Sequence, residues 1–119
     1  LMGREPPFFT LADWPVPPGV RGGSTLRNGL GVSPPPFDRL NLGGHRAAGG
    51  DDVANVLANR RALADALALP SAPFWLRQVH GIAVFDADAP TVDGAPFPAG
   101  EDEPEADAAV TRRSGVVLA

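Results

Sequence analysis

One stretch of this chain carries sustained helical periodicity, and it lies between Gly50 and Pro70. From about Asp52 to Leu67 the apolar residues Val53, Val56, Leu57, Leu63, Ala64 and Leu67 recur near 3.6-residue spacing. Asp51 or Asp52 can cap the first turn, and Pro70 stops the helix soon after Leu69. Elsewhere fourteen Gly and fourteen Pro among 119 residues leave room only for short extended segments, turns and loops. Asn59-Arg60-Arg61 interrupts the apolar stripe in mid-helix. Either these side chains form a solvated basic face, or Asn59 or Arg60 turns inward and ties loop carbonyls to the helix.

Residues 1–19 read as an extended, Pro-rich lead-in whose Trp14 anchors on the core; without flanking basic residues it is a poor Pro-rich recognition ligand. Leu1, and the stretch 1–13 with it, is a candidate appended remnant. Val20 to Leu26 is a candidate strand, and Asn28-Gly29-Leu30-Gly31 a turn. A phosphate-cradling loop would need a Lys-Ser/Thr pair and a following helix there, but Pro34-Pro35-Pro36 follows instead. Phe37 to Leu42 is irregular, and His45 falls in an exposed Gly- and Ala-rich loop. Phe74–Val79, Ile82–Phe85, Ala106–Thr111 and Val116–Ala119 read as further strands. The last is cut inside its apolar run, so the domain reads as unfinished. One helix on mixed strands makes the fold class α+β.

Charge narrows the function classes. The net charge is −4, every basic residue is Arg, and the arginines are scattered, which argues against a nucleic-acid footprint. The acidic run from Asp86 to Asp107 lacks the alternating ligands of a calcium loop and reads as a solvated loop. No window approaches the ~20 apolar residues of a membrane span, and the amino terminus lacks a secretory pattern. With no cysteine there is no disulfide framework, so a cytoplasmic protein is the default.

Candidate chemistry concentrates in Trp75-Leu76-Arg77-Gln78-Val79-His80-Gly81. As a strand, Phe74 to His80 would put Leu76, Gln78 and His80 on one face and Trp75, Arg77 and Val79 on the other. An imidazole beside an amide at a strand end can bind a metal or move a proton. His80 is one of two histidines, so this chain alone does not complete a metal or nucleophile site.

Taken in order, the motifs resemble the laccase-domain (YfiH-like) family, also labelled polyphenol oxidoreductases and purine nucleoside phosphorylases. The resemblance runs through Trp14-Pro15 with Gly19-Val20, Ser24-Thr25-Leu26-Arg27, and Gly31-Val32-Ser33. It continues through Pro36-Phe37-Asp38-Arg39-Leu40-Asn41-Leu42-Gly43, Gly50-Asp51, Asn59-Arg60, Trp75 to Gly81, and Glu105-Ala106-Asp107-Ala108 to Thr111. It implies that residues 14–119 are the amino-terminal half of such a domain, with a layered mixed β-sheet core, flanking helices and a remainder beyond Ala119. Family members continue into a Thr-Ala-Asp-Cys segment and later a His-Ala-Gly-Trp segment. That Cys and His, with the histidine matching His80, form the family's catalytic metal cluster. A His, Cys, His set suits zinc with an open position and is a poor match to a multicopper centre, so zinc is the implied cofactor ahead of copper. This chain departs from the family in Leu30, an extra residue between two glycines, and in a longer stretch between Gly43 and Gly50.

The resemblance implies phosphorolysis of a purine nucleoside, with adenosine deamination as a companion activity. In this reading His80 is the metal ligand or acid/base member, and Arg27 binds phosphate or a ribose-linked oxyanion through its planar fork. Asn41 and Gln78 read the base or sugar, and Asp107 orients the His80 imidazole. Alternatives are a hydrolase editing amino acids in cell-wall precursors, a polyphenol oxidase, and a non-catalytic fragment. The 119 residues alone are expected to show no turnover.

Overall fold

The computed structural model describes residues 6–43, 49–88 and 103–119. These divide into two compact units, one up to Leu67 and one from Ala68 onward. Among the described residues one helix and two small sheets make a mixed α+β fold. No helix among them is long and apolar enough to cross a membrane.

In the first unit, β1 (Phe9–Leu11) pairs antiparallel with β2 (Gly23–Thr25), matching Phe9 to Thr25 and Leu11 to Gly23. Two more backbone bonds extend the ladder, Leu26 N–H to Phe8 O at 2.7 Å and Ala12 N–H to Gly22 O at 2.9 Å. The strand Phe9–Leu11 lies inside the stretch read as lead-in, and three residues are too short to show alternation. Trp14 is 62% exposed and does not anchor on the core as expected. The candidate strand at 20–26 shortens to 23–25 because Val20 N–H closes a turn onto Pro17 O at 3.1 Å.

Helix α1 spans Val53–Ala66. Asp52 is its N-cap, accepting from the Ala54 N–H at 3.0 Å, which satisfies one of the donors a helix start leaves open. The buried face is Val56, Asn59, Arg60 and Leu63, spaced i, i+3, i+4 and i+7. The helix is therefore rotated from the orientation the apolar stripe suggests: Leu57 is 46% exposed and Val53 also faces outward. Asn59 and Arg60 turn inward, the second of the two readings. Phe8, Leu40, Val56 and Leu63 supply the buried apolar side chains of this unit. Each such burial stabilises by roughly 1.5–3 kcal/mol relative to exposure.

In the second unit, β3 (Val84–Asp86) pairs in parallel with β4 (Ala108–Val110), matching Val84 to Ala108 and Asp86 to Val110. Parallel neighbours cannot be joined by a tight turn and need a long connection. Isolated parallel bridges join Phe74 to Leu118 and Arg77 to Glu105. The expected strands at 74–79 and 116–119 are thus single bridges, and regular pairing begins only at Val84. Ala87 and Ala106 are buried, and the Phe74 and Phe85 rings meet with centroids 5.8 Å apart.

Beyond β3, Asp88 accepts from Thr111 Oγ1 at 2.6 Å, Arg112 N–H at 2.5 Å and Arg113 Nε at 2.9 Å. These bonds, led by the Thr111 hydroxyl, pull its carboxyl down to about 2. Asp88 therefore fastens the exit of β3 to the exit of β4. The middle of the acidic run, at 89–102, and His45 lie outside the described residues.

Candidate functional site

The chain leaves the parallel pairing after Arg77 and rejoins it at Ala83. Arg77 N–H donates to Pro104 O at 2.8 Å and Ala106 N–H to Arg77 O at 3.2 Å; beyond the excursion, Asp107 N–H donates to Ala83 O at 3.2 Å. Residues 78–82 therefore form a loop standing out from the line of the strand, and the Asp107 side chain fills its concave side. Asp107 Oδ1 accepts from the Val79 N–H at 3.1 Å and the His80 N–H at 2.8 Å, while Oδ2 accepts from the Gly81 N–H at 2.7 Å. One carboxylate thus holds three successive backbone donors.

His80 has φ +59°, in the left-handed region. That conformation costs a residue with a side chain about 1–3 kcal/mol. Hydrogen bonds from backbone N–H groups to a charged acceptor are the stronger kind and offset this cost. The same bonds hold the Asp107 carboxyl below its usual value: the Gly81 N–H contributes most, the His80 and Val79 donors and the His80 charge add to it, and burial opposes it. The imidazole itself is exposed, and neither ring nitrogen has a hydrogen-bond partner among the described residues.

Two expectations change here. Strict alternation through His80 fails, because a left-handed residue breaks the period-two pattern at that position. Asp107 does lie beside His80, but it grips the backbone rather than the ring. Gln78 is exposed on the same loop, with no side-chain hydrogen bond among the described residues.

Arg27 and Asn41 belong to the first unit. Arg27 donates through Nε to the Asp38 carbonyl at 2.7 Å and through Nη2 to the Pro36 carbonyl at 2.8 Å, with the Asp38 carboxylate 3.8 Å away. Its own carbonyl accepts from the N–H groups of Arg39 and Leu40. The guanidinium is oriented by these contacts yet remains 63% exposed. Gly31 permits this loop, with φ +107°, because a β-carbon there would run into the Arg39 carbonyl.

Asn41 donates through Nδ2 to Asp51 Oδ2 at 3.2 Å and accepts from the Gly43 N–H at 3.4 Å. Asp51 also takes the Ser33 hydroxyl at 2.5 Å, Asn55 Nδ2 at 3.2 Å and the Asp52 N–H at 2.8 Å. Its carboxyl is lowered, most by Ser33, against the opposing effect of burial. Asn59, fully buried, completes the network. Its Oδ1 accepts from the Val32 N–H at 2.8 Å, and its Nδ2 reaches Ser33 Oγ at 2.8 Å, Asn41 O at 2.9 Å and Arg39 O at 3.2 Å. Arg60 adds Nε to Leu42 O at 2.9 Å. The loop from Val32 to Leu42 is therefore laced onto α1 by two inward polar side chains.

Asp51 and Asn59 are the centres of this network; the sequence offered Asp51 only as a helix cap and Asn59 as one of two readings. For Asn59 the available signal was the Asn59-Arg60 pair in the middle of an otherwise apolar stripe. Among the described residues no group of three or more His, Asp or Glu side chains could hold a metal ion. The fit is therefore partial: His80, exposed and with no ring hydrogen bond among the described residues, can supply a single ligand, while the Asp107 carboxylate is committed to backbone donors.

The family description "Multi-copper polyphenol oxidoreductase laccase" matches residues 21–119. The chain belongs to this family. It is 52% identical over 118 residues to a purine nucleoside phosphorylase of Xylella fastidiosa strain 9a5c, covering 99% of this chain and 44% of that protein. It is 42% identical over 109 residues to purine nucleoside phosphorylase YfiH of Escherichia coli strain K12, covering 92% and 40%. A Streptomyces coelicolor purine nucleoside phosphorylase is 42% identical over 102 residues, covering 85% and 38%. The chain thus spans less than half the length of these curated relatives. The family description names copper, and the relatives are named as phosphorylases of purine nucleosides.

Proposed function

We propose that this chain forms the amino-terminal part of a purine nucleoside phosphorylase, in a layered sheet domain, with adenosine deamination as a companion activity. The observation that carries the reading is the exposed imidazole of His80, held in a left-handed turn by one carboxylate on three backbone donors. The relatives' names supply the reaction class.

In phosphorolysis an oxygen of phosphate bonds to C1′ of the ribose while the C1′–N9 bond breaks. The bonding pair leaves with the base, and a proton must reach a purine nitrogen. His80 is suited to hold or deliver that proton, since an imidazole offers one donor and one acceptor nitrogen. Arg27, oriented by the carbonyls of Pro36 and Asp38, offers its remaining donors to a phosphate oxygen or a ribose-linked oxyanion. Gln78, whose amide has no partner among the described residues, is the better candidate for hydrogen bonds to the base or sugar. For Asn41 to do the same, its amide would have to leave Asp51.

Zinc is the metal this reading favours over copper. His80 would give it one nitrogen, with the other ligands from outside the described residues, and bound zinc would supply Lewis acidity. The natural setting is a cytoplasmic one, with a purine nucleoside and phosphate as the small-molecule partners.

The test uses the polypeptide expressed from the natural reading frame. Free hypoxanthine should appear from inosine only when phosphate is present, with ribose 1-phosphate as the second product. Release that ignores phosphate, or turnover confined to a muramyl-peptide or a polyphenol, would overturn the proposal.

A further inference from the structure

We propose that Asp107 is the positioning residue of the His80 site: it sets where the imidazole stands by fixing the backbone beneath it. This rests on the reading of His80 as the reacting imidazole. The geometry is specific. A side chain one strand away spans the whole loop with both oxygens, Oδ1 on Val79 and His80 and Oδ2 on Gly81. The residue at the centre of the three is the one with φ +59°. A left-handed residue aims its Cα–Cβ bond away from the direction an extended residue would give it. The turn therefore decides which way the ring projects.

The arrangement also leaves the ring unencumbered. A carboxylate bonded to a ring nitrogen would fix the tautomer but occupy one of two nitrogens. A carboxylate on the backbone fixes the direction and leaves both nitrogens for a ligand or a proton. Asp107 is itself anchored, because its N–H donates to Ala83 O at 3.2 Å and Ala106 before it is buried. Its partner at Gly81 needs no left-handed conformation, and a β-carbon there would meet Asp107 Oδ2 at 3.4 Å, an ordinary contact. The strain of the loop is thus concentrated at His80.

The experiment compares wild-type protein, from the natural reading frame, with Asp107→Ala, Asp107→Asn and His80→Asn. Asn tolerates the left-handed region, so the last variant removes the ring and keeps the turn. The readouts are amide hydrogen exchange at residues 79–81 and the separate kcat and KM for inosine phosphorolysis. Asp107→Ala should speed exchange at all three amides and lower kcat by about 10- to 100-fold with KM within about threefold, the range seen when residues that orient a reacting side chain are removed. Asp107→Asn, keeping one acceptor oxygen, should lie between Asp107→Ala and wild type in both. Unchanged exchange in Asp107→Ala overturns the proposal, and so does faster exchange with kcat intact. A His80→Asn variant as active as wild type instead removes the reading of His80, a result distinct from failure at Asp107. Thermal melting of each variant identifies any that fail to fold, and Asp107→Asn then decides.

Discussion

The two units hold their loops in opposite ways. In the first, a buried amide on a helix reaches out to a loop: Asn59 is fully buried and binds Val32, Ser33, Arg39 and Asn41 at once. In the second, carboxylates just outside the strands grip backbone N–H groups nearer to water, Asp107 on residues 79–81 and Asp88 on Arg112. Water competes poorly with the first arrangement and well with the second. The contrast teaches where each unit is expected to be stiff. The Val32–Leu42 loop should open only with the unit as a whole, whereas the His80 loop can open locally.

The largest expected effect is at Asn59. Asn59→Ala strands the Val32 N–H and two loop carbonyls, and should cost about 3 kcal/mol or more in urea unfolding. A loss under about 1 kcal/mol would mean that water replaces the network and that the contrast between the units is false. Next comes the orientation of α1. Leu63→Ala should cost about 2–5 kcal/mol and Leu57→Ala under about 0.5, because only Leu63 is buried. Equal losses would mean the helix face is wrongly assigned.

The carboxylate clasps are sharpened by pH. Asp88 titrates at about 2 in the folded protein against 3.8 in a free chain. A lowered folded value means its contribution is fully present above the unfolded value and is lost as pH falls through the folded one. Wild-type stability should therefore drop between about pH 4 and pH 2, and Asp88→Asn should flatten that drop while lowering the urea midpoint at pH 7. Parallel acid curves for the two proteins would contradict the clasp. Smallest of all is the Arg77–Glu105 ion pair. It is short at 2.6 Å, but both side chains are about half exposed, 49% and 52%. Breaking it should change stability by under about 1 kcal/mol, less still in high salt.

The helix was legible because its signals are local: a capping Asp, a 3.6-residue period and Pro70 lie within one window, and the observed Val53–Ala66 follows the reading within one residue at each end. Its rotation was not legible. Asn59 and Arg60 turn inward only because carbonyls 18 and 20 residues away need donors, and no local pattern encodes that. The strands expected at 20–26, 82–85 and 106–111 are present but short, and those at 74–79 and 116–119 are single bridges, since such pairings are defined by distant partners rather than by alternation. At the site, the sequence singled out His80 and Asp107 as candidates, but not the backbone bonds that join them. His80-Gly81 carried one usable hint, since His is among the residues that tolerate the left-handed region.

If the proposed chemistry runs through the His80 ring and not merely its loop, removing the ring must abolish it. The most direct test is the rate of phosphate-dependent hypoxanthine release by His80→Asn, in protein whose urea midpoint matches wild type. The expected result is a loss of about 100-fold or more, the usual scale for removing a proton-transfer group. A variant that releases hypoxanthine within twofold of wild type would contradict it.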